Sequence, residues 1–545
     1  MKKWIAILMI ILTGSAAGMQ KQAEDGLRFS ENQFLKDYTK LASDEFLGRG
    51  TGQEGGRIAA DYLSKRFTEI GLLPAGDRDT FFQNIPMHSS MPLKSTDLKI
   101  YLGEKEIRPV LGEDYLLYKT GDQAFLPKPV EMVFVGYGII APEFDYNDYQ
   151  NVDIEGKIAV MIGGEPASDD PGYFNGEAPT VYSYPDIKQR LALSRGAAGS
   201  IIIPDPYEYM YNDWDKLKNA FEFENVTLSY TVSSHLSMTM NFETGANLFN
   251  GAEFSLFQVY DLYFKNKMKS FPLKSKLSFR GKFRQKDFLA PNVIGYIKGT
   301  DRNLSNEYIL LSAHYDHLGI GPAVDGDSIY NGAFDNAAGT AALLQIAEYF
   351  AENPLKRSVI ILMTTGEEHG LLGSTYYTHN PVFPLYKTVA NINIDGLAFI
   401  DEFESVIGIG AKLSTLNEHL KNAALRLDLE VVDIPPGFED SESFNRSDQI
   451  AFAKAGVPSM LIMDGTEYRN TTSNAGMNRI VDYISDYYHT PFDDTNLSMN
   501  VKAAMQHISI IAEMAIEAGN AANTPYWTEG TDYLNYRLQS EAEKR

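Results

Sequence analysis

Short apolar runs alternate with segments of helical spacing through the second half of the chain. The apolar runs predict strands at 292–297, 308–312, 358–364, 389–394, 405–410 and 459–463. Apolar residues at helical spacing predict helices at 337–353, 413–427, 447–455 and 501–517. This alternation is typical of an α/β domain with a mostly parallel central sheet flanked by helices.

The first half of the chain is organised differently. Helices are predicted at 32–42 and 56–70, and short alternating segments over 76–125 indicate β structure. The composition changes between about 127 and 272. There strands are predicted at 130–135 and 200–203, a turn leading into a strand at 151–162, and a helix at 187–194. Histidines and carboxylates do not gather in a ligand-like pattern in this segment, and its single histidine, His235, is interpreted as structural. We therefore interpret the segment as an inserted module.

Charge and cysteine content narrow the possible functions. The 545 residues carry a net charge of −24, which argues against a nucleic-acid partner, because neutralising phosphates requires clustered Lys and Arg. The chain has no cysteine. This excludes disulfides, thiolate zinc sites, a cysteine nucleophile and a lipoprotein anchor.

The first eighteen residues have the pattern of an export signal. Lys2 and Lys3 precede an apolar run over 4–12, and small residues at 15–18 offer a cleavage site. The run is short for a membrane span, although a retained anchor is the alternative interpretation. No later segment is apolar for long enough to span, so we expect an exported protein without a membrane span in its mature form.

Acidic and imidazole side chains follow several of the predicted strands. In open parallel sheets ligands bind beyond the carboxyl ends of the strands, so side chains that follow different strands can meet there. A further aspartate precedes the helix at 337, and a histidine lies in a loop before the last predicted helix. The residues concerned are His314, Asp316, Asp335, Glu367, Glu368, Asp395 and His489.

Each of these residues also has an ordinary structural interpretation. A lone His-x-Asp is commonly structural, adjacent glutamates commonly lie on a solvated helix face, and Asp395 could cap a turn. Their recurrence at successive strand ends favours a shared cation site, since imidazoles and carboxylates are ligands for divalent metals. Nitrogen and oxygen donors without a thiolate fit a catalytic zinc site better than a closed structural one.

The segments that carry these residues resemble one known family. SAHYDHLG, GAFDNAAGTAALLQIA, TTGEEHGLLGS, NINIDG and YHTPFDD are similar, in that order, to the motifs of the M28 family of zinc aminopeptidases. The resemblance extends to LASDEFLGRGTGQEGG upstream and to RSDQIAFAKAGVPSM at 446–460. NVDIEGKIAVMIGG and SRGAAGSIIIPDP resemble the protease-associated domain that is often inserted in this family.

The resemblance implies a role for each candidate residue and a cofactor of two Zn²⁺ ions. His314 and Asp395 would bind one ion, Glu368 and His489 the other, and Asp335 would bridge both. Glu367 would be the general base that activates a metal-bridging water, and Asp316 would orient His314.

Other residues near the implied ligands have open interpretations. Tyr488 is either a hydrogen-bond donor to the oxyanion or a buried aromatic beside a ligand. His317 and His369 are interpreted as supporting or exposed residues. His88, His379, His419 and His507 are given no role. Cobalt or manganese would satisfy the same ligands as zinc.

The family implies a division of the chain and a function. It predicts a signal peptide at 1–18, the amino-terminal part of the peptidase domain at 28–125, an inserted protease-associated domain at 126–272, the catalytic domain at 280–520 and a tail at 521–545. We expect a secreted exopeptidase acting on peptides, most simply an aminopeptidase.

Several alternatives stay open. They are a carboxypeptidase or dipeptidase of the same family, a glutaminyl cyclase, which uses one zinc, and a non-catalytic receptor on the same fold. The complete ligand set favours a two-metal hydrolase over the last two. Residues 435–447 and 466–487 are predicted to shape the specificity pocket.

Overall fold

The computed structural model describes residues 27–117, 124–168, 170, 172–174, 176, 180–207, 214–233, 235–435 and 444–544. The predicted signal peptide at 1–18 lies outside the described residues, as do residues 436–443 of the predicted specificity loop. Among the helices of the described ranges, none combines the length and the apolar character that crossing a bilayer needs.

Helices are distributed along the whole described chain. Those predicted in the second half are present with bounds shifted by a few residues, and the chain also forms helices after Leu371, Thr472 and Thr531 that were not predicted. The α-helices of the described ranges are Glu31–Leu41, Glu54–Ile70, Pro185–Ser194, Trp214–Phe221, Phe242–Leu248, Leu256–Phe264, Ala338–Glu352, Leu372–His379, Leu416–Arg426, Gln449–Lys454, Ser473–Asp482, Val501–Asn520 and Asp532–Ala542.

A central sheet of ten strands runs through the part of the chain where α/β alternation was predicted. From one edge to the other its strands are Asn225–Leu228, Phe82–Pro92, Phe283–Ile297, Ser358–Thr364, Tyr308–His314, Thr388–Asn393, Ser459–Asp464, Ser405–Ile409 and Glu430–Val432. The short strand Leu73–Pro74 pairs antiparallel with Phe283–Ile297. The predicted α/β class is confirmed.

The parallel part of this sheet is its middle. Ser358–Thr364, Tyr308–His314, Thr388–Asn393 and Ser459–Asp464 pair in parallel. Antiparallel strands extend the sheet on both sides of them. The strands Phe283–Ile297 and Tyr308–His314 run in opposite directions because the link between them, 298–307, is short. A link between parallel strands needs a crossover of a dozen or more residues.

Helices cover both faces of the parallel middle. Alternate residues of one strand face opposite layers, so Ile309 and Leu311 pack with the helices Ala338–Glu352 and Val501–Asn520, whereas Leu310 packs with Tyr377 and Phe452 on the other face. The helices Glu31–Leu41 and Glu54–Ile70 belong to the first of these layers. The carboxyl ends of the parallel strands are thereby held on a rigid three-layer scaffold.

A second sheet of eight strands forms a separate core. Its order is Lys105–Ile107, Asp97–Leu102, Ser270–Arg280, Phe125–Val135, Ile158–Ile162, Gly199–Ile203, Leu236–Met240 and Tyr115–Leu117. The sheet therefore takes up strands between 97 and 117, upstream of the boundary predicted at 126, and continues to Arg280.

One segment of the predicted insert returns to the central sheet. The strand Asn225–Leu228 pairs antiparallel with Phe82–Pro92, at the edge of that sheet. Residues just before it, in and after the helix Trp214–Phe221, are thereby held close to the carboxyl ends of the parallel strands.

Candidate metal centre

The side chains predicted at successive strand ends lie close together. His314 is opposite Thr364 in the parallel register, and Ser312 is opposite Asn393, so the residues that follow these strands emerge at one sheet edge. Nitrogen or oxygen atoms of His314, Asp335 and Asp395 lie within 4.8 Å of one another, as do those of His314, Glu367 and Glu368. The predicted cluster of imidazoles and carboxylates is therefore present in three dimensions.

Asp335 lies between two imidazoles. Its Oδ1 is 3.3 Å from His314 Nε2, and its Oδ2 is 3.2 Å from His489 Nε2. His314 Nε2 is also 3.1 Å from Asp395 Oδ1, and His489 Nε2 is 3.0 Å from Glu368 Oε2. The two oxygens of one carboxylate thus serve two separate nitrogen–carboxylate pairs.

The cluster is closed on the His314 side and open on the His489 side. The His314 side chain is fully buried under the turn that carries Asp335, whereas 38% of the His489 side chain is exposed. Tyr488 precedes His489, stacks on its ring with a centroid separation of 3.9 Å, and is 44% exposed. A substrate can therefore approach from the His489 side.

Asp316 contacts His314 differently from the sequence-based expectation. His314 Nδ1 lies 3.2 Å from the backbone oxygen of Asp316 and 4.0 Å from its carboxylate. The carboxylate instead accepts hydrogen bonds from the Thr51 hydroxyl at 2.9 Å and from the Glu367 backbone N–H at 3.3 Å. Asp316 thereby links His314 to the loop that carries both glutamates.

His317 belongs to the cluster, although the sequence pattern gave it only a supporting or exposed position. Its Nδ1 is 2.6 Å from Glu368 Oε1 and 3.8 Å from Asp335 Oδ2, and its side chain is fully buried. The spacing His-x-Asp identifies His314 and Asp316 as candidates. It gives no reason to expect that the next residue, His317, turns toward the same group of carboxylates.

Two further residues fix the ligand loops through the backbone. Asp493 accepts the backbone N–H groups of Phe334 and Asp335, at 3.0 and 3.1 Å. The Asn336 side chain donates to the Ile394 carbonyl and accepts the Gly396 N–H, on either side of Asp395. Asp493 lies in the motif YHTPFDD and Asn336 in the motif GAFDNAAG. Their hydrogen-bond partners are distant in sequence, so the motifs alone did not indicate these roles.

The loop that carries Glu367 and Glu368 is tied down at both ends. The Asp448 carboxylate accepts the hydroxyls of Thr364 and Ser374, each at 2.5 Å. Asn292 accepts the Thr365 N–H and donates to the Gly373 carbonyl. A Cβ on Gly373 would lie 2.4 Å from the Thr365 carbonyl oxygen, so this close approach needs glycine.

The electrostatics of the cluster favour a cation. Burial alone would lower the pKa of His314 and of His489, but the surrounding carboxylates outweigh it and raise the pKa of both well above the ordinary value. The pKa of Asp335 is held well below its ordinary value by the imidazoles, against the effect of burial. Glu367 differs, because burial and the carboxylates of Asp395, Glu368 and Asp448 raise its pKa well above that of an ordinary glutamate.

The donor atoms fit a divalent metal. His489 Nε2 lies within 3.2 Å of two carboxylates yet lacks the alignment of a hydrogen bond, and within the described ranges the buried His317 Nε2 has no hydrogen-bond partner. Buried polar atoms normally find a partner, so the His489 nitrogen left in this way beside two carboxylates fits a role as a cation ligand.

A cavity of about 630 Å³ opens beside the cluster. It reaches Glu368, His369, Tyr488 and His489, and its ionisable side chains are carboxylates, imidazoles and phenols. The predicted insert contributes Asn219–Asn225, and Ile484 and Ser485 come from the predicted specificity region at 466–487. Phe223 packs edge-on against Tyr330, with ring centroids 5.0 Å apart, and forms part of the apolar wall.

Part of the chain is similar in sequence to known peptidases. Residues 292–515 match the sequence model of peptidase family M28. A vacuolar membrane protease of Kluyveromyces lactis is 26% identical over 223 residues, which are 41% of this chain and 20% of that protein. Aminopeptidase YwaD of Bacillus subtilis is 25% identical over 207 residues, 37% of this chain and 39% of that protein. The matched segments thus span less than half of these relatives.

The fold is shared with a solved structure. An aminopeptidase from Aneurinibacillus sp. strain AM-1 superposes with a TM-score of 0.56 over 91% of this chain and 96% of that chain, at 17% sequence identity. The likeness covers far more of the chain than the segment matched by the family model, so the overall architecture is shared as well.

Proposed function

We propose that this chain, whose residues 292–515 match the sequence model of peptidase family M28, is a two-zinc aminopeptidase that releases amino-terminal residues from peptides. The observation that carries the proposal is the position of Asp335, whose two oxygens face His314 and His489 at 3.3 and 3.2 Å. A carboxylate placed in this way can hold two cations close together.

The residues that would hold the ions follow from these contacts. His314 and Asp395 would bind one ion, Glu368 and His489 the other, and Asp335 both. Zinc suits nitrogen and oxygen donors in a site with open positions. When bound, two such ions polarise the substrate carbonyl and lower the pKa of water.

Glu367 is the general base of the proposed reaction. It takes a proton from the attacking water as the new C–O bond forms, and it returns the proton to the amine as the C–N bond breaks. Burial raises the pKa of Glu367, which makes it a stronger base than an exposed glutamate. The hydrogen bond from its backbone N–H to Asp316 couples its position to the strand end that carries His314.

Tyr488 is proposed to stabilise charge on the substrate. Burial raises the pKa of its phenol, so the hydroxyl keeps its proton and can donate to the developing oxyanion. The partly exposed position of Tyr488, beside His489 and along the cavity, supports this role.

The cavity supports cleavage at the amino terminus over the carboxypeptidase alternative. Glu224 and Glu368 line it together with the imidazoles of His369 and His489. Because the charge of Glu368 would be neutralised by its ion, Glu224 is the carboxylate that would attract a free α-ammonium group and repel a terminal carboxylate. A dipeptidase would need both ends to be accepted, which this charge pattern disfavours.

The proposal also includes the insert and the destination of the protein. The eight-stranded unit is proposed to be the protease-associated domain. Residues of the predicted insert that line the cavity, among them Phe223 and Glu224, would narrow access to it. Lys2, Lys3 and the apolar run that follows them support export from the cytoplasm to the periplasm or the medium.

Two matched variants test the catalytic assignment. Glu367→Gln should retain both zinc ions and lose about 10²–10⁴-fold in kcat, because only the base is removed. Glu368→Gln, which changes the neighbouring residue, should lose both turnover and bound zinc. Zinc content is measured for each variant. Turnover is measured on peptides with a free amino terminus, on the same peptides with an acetylated amino terminus, and on peptides labelled at the carboxyl terminus.

The outcomes separate the alternatives. Hydrolysis of free but not acetylated peptides supports the aminopeptidase. Release of carboxyl-terminal residues would replace it with a carboxypeptidase. A zinc-loaded protein that binds peptides without cleaving them would replace it with a receptor, and loss of zinc from Glu367→Gln would make Glu367 a ligand.

A further inference from the structure

The loop Leu47–Gly52 precedes the segment matched by the peptidase family model, yet it reaches the centre of the site. Arg49 is fully buried there and donates only to backbone carbonyls in its recorded hydrogen bonds. Its Nε donates to Tyr315 at 2.7 Å, its Nη1 to Leu41 and Asn331 at 2.9 and 2.5 Å, and its Nη2 to Gly332 at 2.8 Å.

These carbonyls lie on the two arms that carry His314 and Asp335. Tyr315 directly follows His314, and Gly332 caps the start of the turn that carries Asp335. One planar guanidinium with five fixed donors therefore spans both arms and ties them to the end of the helix Glu31–Leu41. The His314–Asp335 separation of 3.3 Å depends on how these arms are held.

The charge of Arg49 is maintained in this position. Burial lowers the pKa of Arg49 to about 10, so the group stays cationic at neutral pH, and the carboxylates of Asp493, Asp335, Asp316 and Glu368 act in the opposite direction. A buried cation that has carbonyl partners beside a group of carboxylates is stabilised by that group.

Thr51, two residues later, reaches the same arm through a side chain. Its hydroxyl donates to Asp316 at 2.9 Å, and the other oxygen of Asp316 accepts the Glu367 N–H. Thr51 also lies 3.3 Å from the Thr365 hydroxyl, at the start of the glutamate loop. The same short loop therefore contacts the His314 strand end, the Asp335 turn and the base loop.

The backbone of the loop is shaped for this contact. Leu47 and Arg49 have φ values of 47° and 53°, in the left-handed region that non-glycine residues rarely adopt. A Cβ on Gly48 would lie 2.3 Å from the Tyr330 carbonyl oxygen, so the loop is pressed against the segment that leads to Asp335. Unfavourable backbone conformations retained beside a site indicate a functional constraint.

We propose that Arg49 is a positioning residue of the metal centre, holding the His314 and Asp335 arms at the separation that lets one carboxylate serve two ions. Thr51 has the corresponding role for Asp316 and the base loop. This inference rests on the proposed function, in which the cluster binds zinc. Its effect on zinc binding can be measured without measuring turnover.

The chain offers a matched control for the buried arginine. Arg537 is also buried and donates to the carbonyls of Tyr386 and Thr388 at 3.1 and 3.0 Å. It also pairs with Glu541, and none of its hydrogen-bond partners in the described ranges belongs to the site. Replacing it removes a comparable structural contact. Arg49→Lys and Arg49→Met are therefore compared with Arg537→Lys and Arg537→Met.

The measured quantities are zinc retention against a competing chelator, the thermal midpoint of the metal-free protein, kcat and KM. The Arg49 variants, Lys included, should bind the more weakly held ion at least tenfold less tightly and lose kcat with little change in KM, because one ammonium cannot span both arms. The Arg537 variants should lower the midpoint and leave zinc retention and kcat per folded molecule unchanged.

Normal zinc retention and kcat in Arg49→Lys would overturn the proposal, as would equal zinc loss in the Arg537 series. If the Arg49 variants do not fold, Thr51→Val and Thr51→Ser decide. Valine should lower kcat and move its pH profile while serine restores both, and a valine variant identical to wild type would contradict the role of the loop. A wild-type protein that binds two zinc ions but cleaves no peptide would refute the proposed function while leaving the Arg49 comparison intact.

Discussion

The Asp493 carboxylate accepts the backbone N–H of Asp335, with 3.1 Å between Oδ2 and the nitrogen. Its other oxygen accepts the N–H of Phe334. The segment that carries His489 therefore also fixes the turn that carries the bridging carboxylate. Asp493 thereby links two of the three residues proposed to bind the second ion, His489 and Asp335.

We predict that Asp493→Asn weakens zinc binding by about tenfold or more, because the amide offers one acceptor oxygen where the carboxylate offers two. The measurement is zinc affinity by competition with a chelator. Asp494→Asn is the control, since Asp494 accepts the Asn496 N–H instead of a ligand loop. Equal effects of the two substitutions would show that Asp493 has no special role.

Asp448 gives a second prediction, which concerns the loop of Glu367 and Glu368. Asp448→Ala removes the shared partner of Thr364 and Ser374, and it should lower stability by about 1.5–3 kcal/mol for each hydrogen bond to the charged group and reduce kcat. Asp448→Asn can still accept one hydroxyl and donate to the other, so it should retain most activity. Urea unfolding and kcat are measured for both, and an alanine variant as active as the asparagine variant would contradict the prediction.

Phe223 tests whether the insert forms a wall of the substrate cavity. Phe223→Ala should lower kcat/KM at least tenfold for peptides with a large apolar amino-terminal residue, and less for those beginning with alanine, because the lost contact is apolar. Phe257→Ala is the control on the same unit, since 70% of Phe257 is exposed and it packs on Phe242. Unchanged selectivity in the Phe223 variant would remove this part of the insert from the substrate site.

His507 predicts a pH dependence of stability. Burial lowers its pKa from 6.5 to about 4, and the ring accepts the Ala398 N–H and donates to the Ile462 carbonyl. Below about pH 6.5 the unfolded chain binds a proton that the folded chain does not. The stabilising contribution is therefore complete above that pH and falls by up to about 3 kcal/mol as the pH decreases toward 4.

Unfolding by urea at pH 7 and pH 4.5 checks this for wild type and for His507→Gln, whose side chain does not titrate. The stability advantage of wild type over the variant should shrink at the lower pH. An advantage of the same size at both values would mean that His507 is protonated equally in the folded and unfolded chains.

Much of the fold followed from local patterns. Tyr308–His314 and Ser358–Thr364 are mostly apolar strands. The polar residues at their carboxyl ends were expected to lie close together because parallel strands end at the same edge of the sheet. The direction of Phe283–Ile297 was not predictable from its apolar pattern, because strand direction depends on the link that follows. The placement of strands between 97 and 117 in the second sheet depends on pairings with residues more than 100 positions away.

The candidate site divides in the same way. His314, Asp335 and Asp395 were identified because each stands at the end or start of a regular element. Arg49 acts on carbonyls more than 260 positions away, and carbonyls have no sequence signature. The contact between His317 and Glu368 was not predictable, because the orientation of His317 depends on the turn after the strand.

The most direct test of the account is the zinc stoichiometry of wild type and Asp335→Asn, measured by titrating metal-free protein and counting bound ions per folded chain. An amide has one coordinating oxygen and no charge, so it cannot hold two cations as the carboxylate can. We expect two bound zinc ions per folded chain in wild type and no more than one in Asp335→Asn. A single ion in wild type, or two in Asp335→Asn, would contradict this expectation.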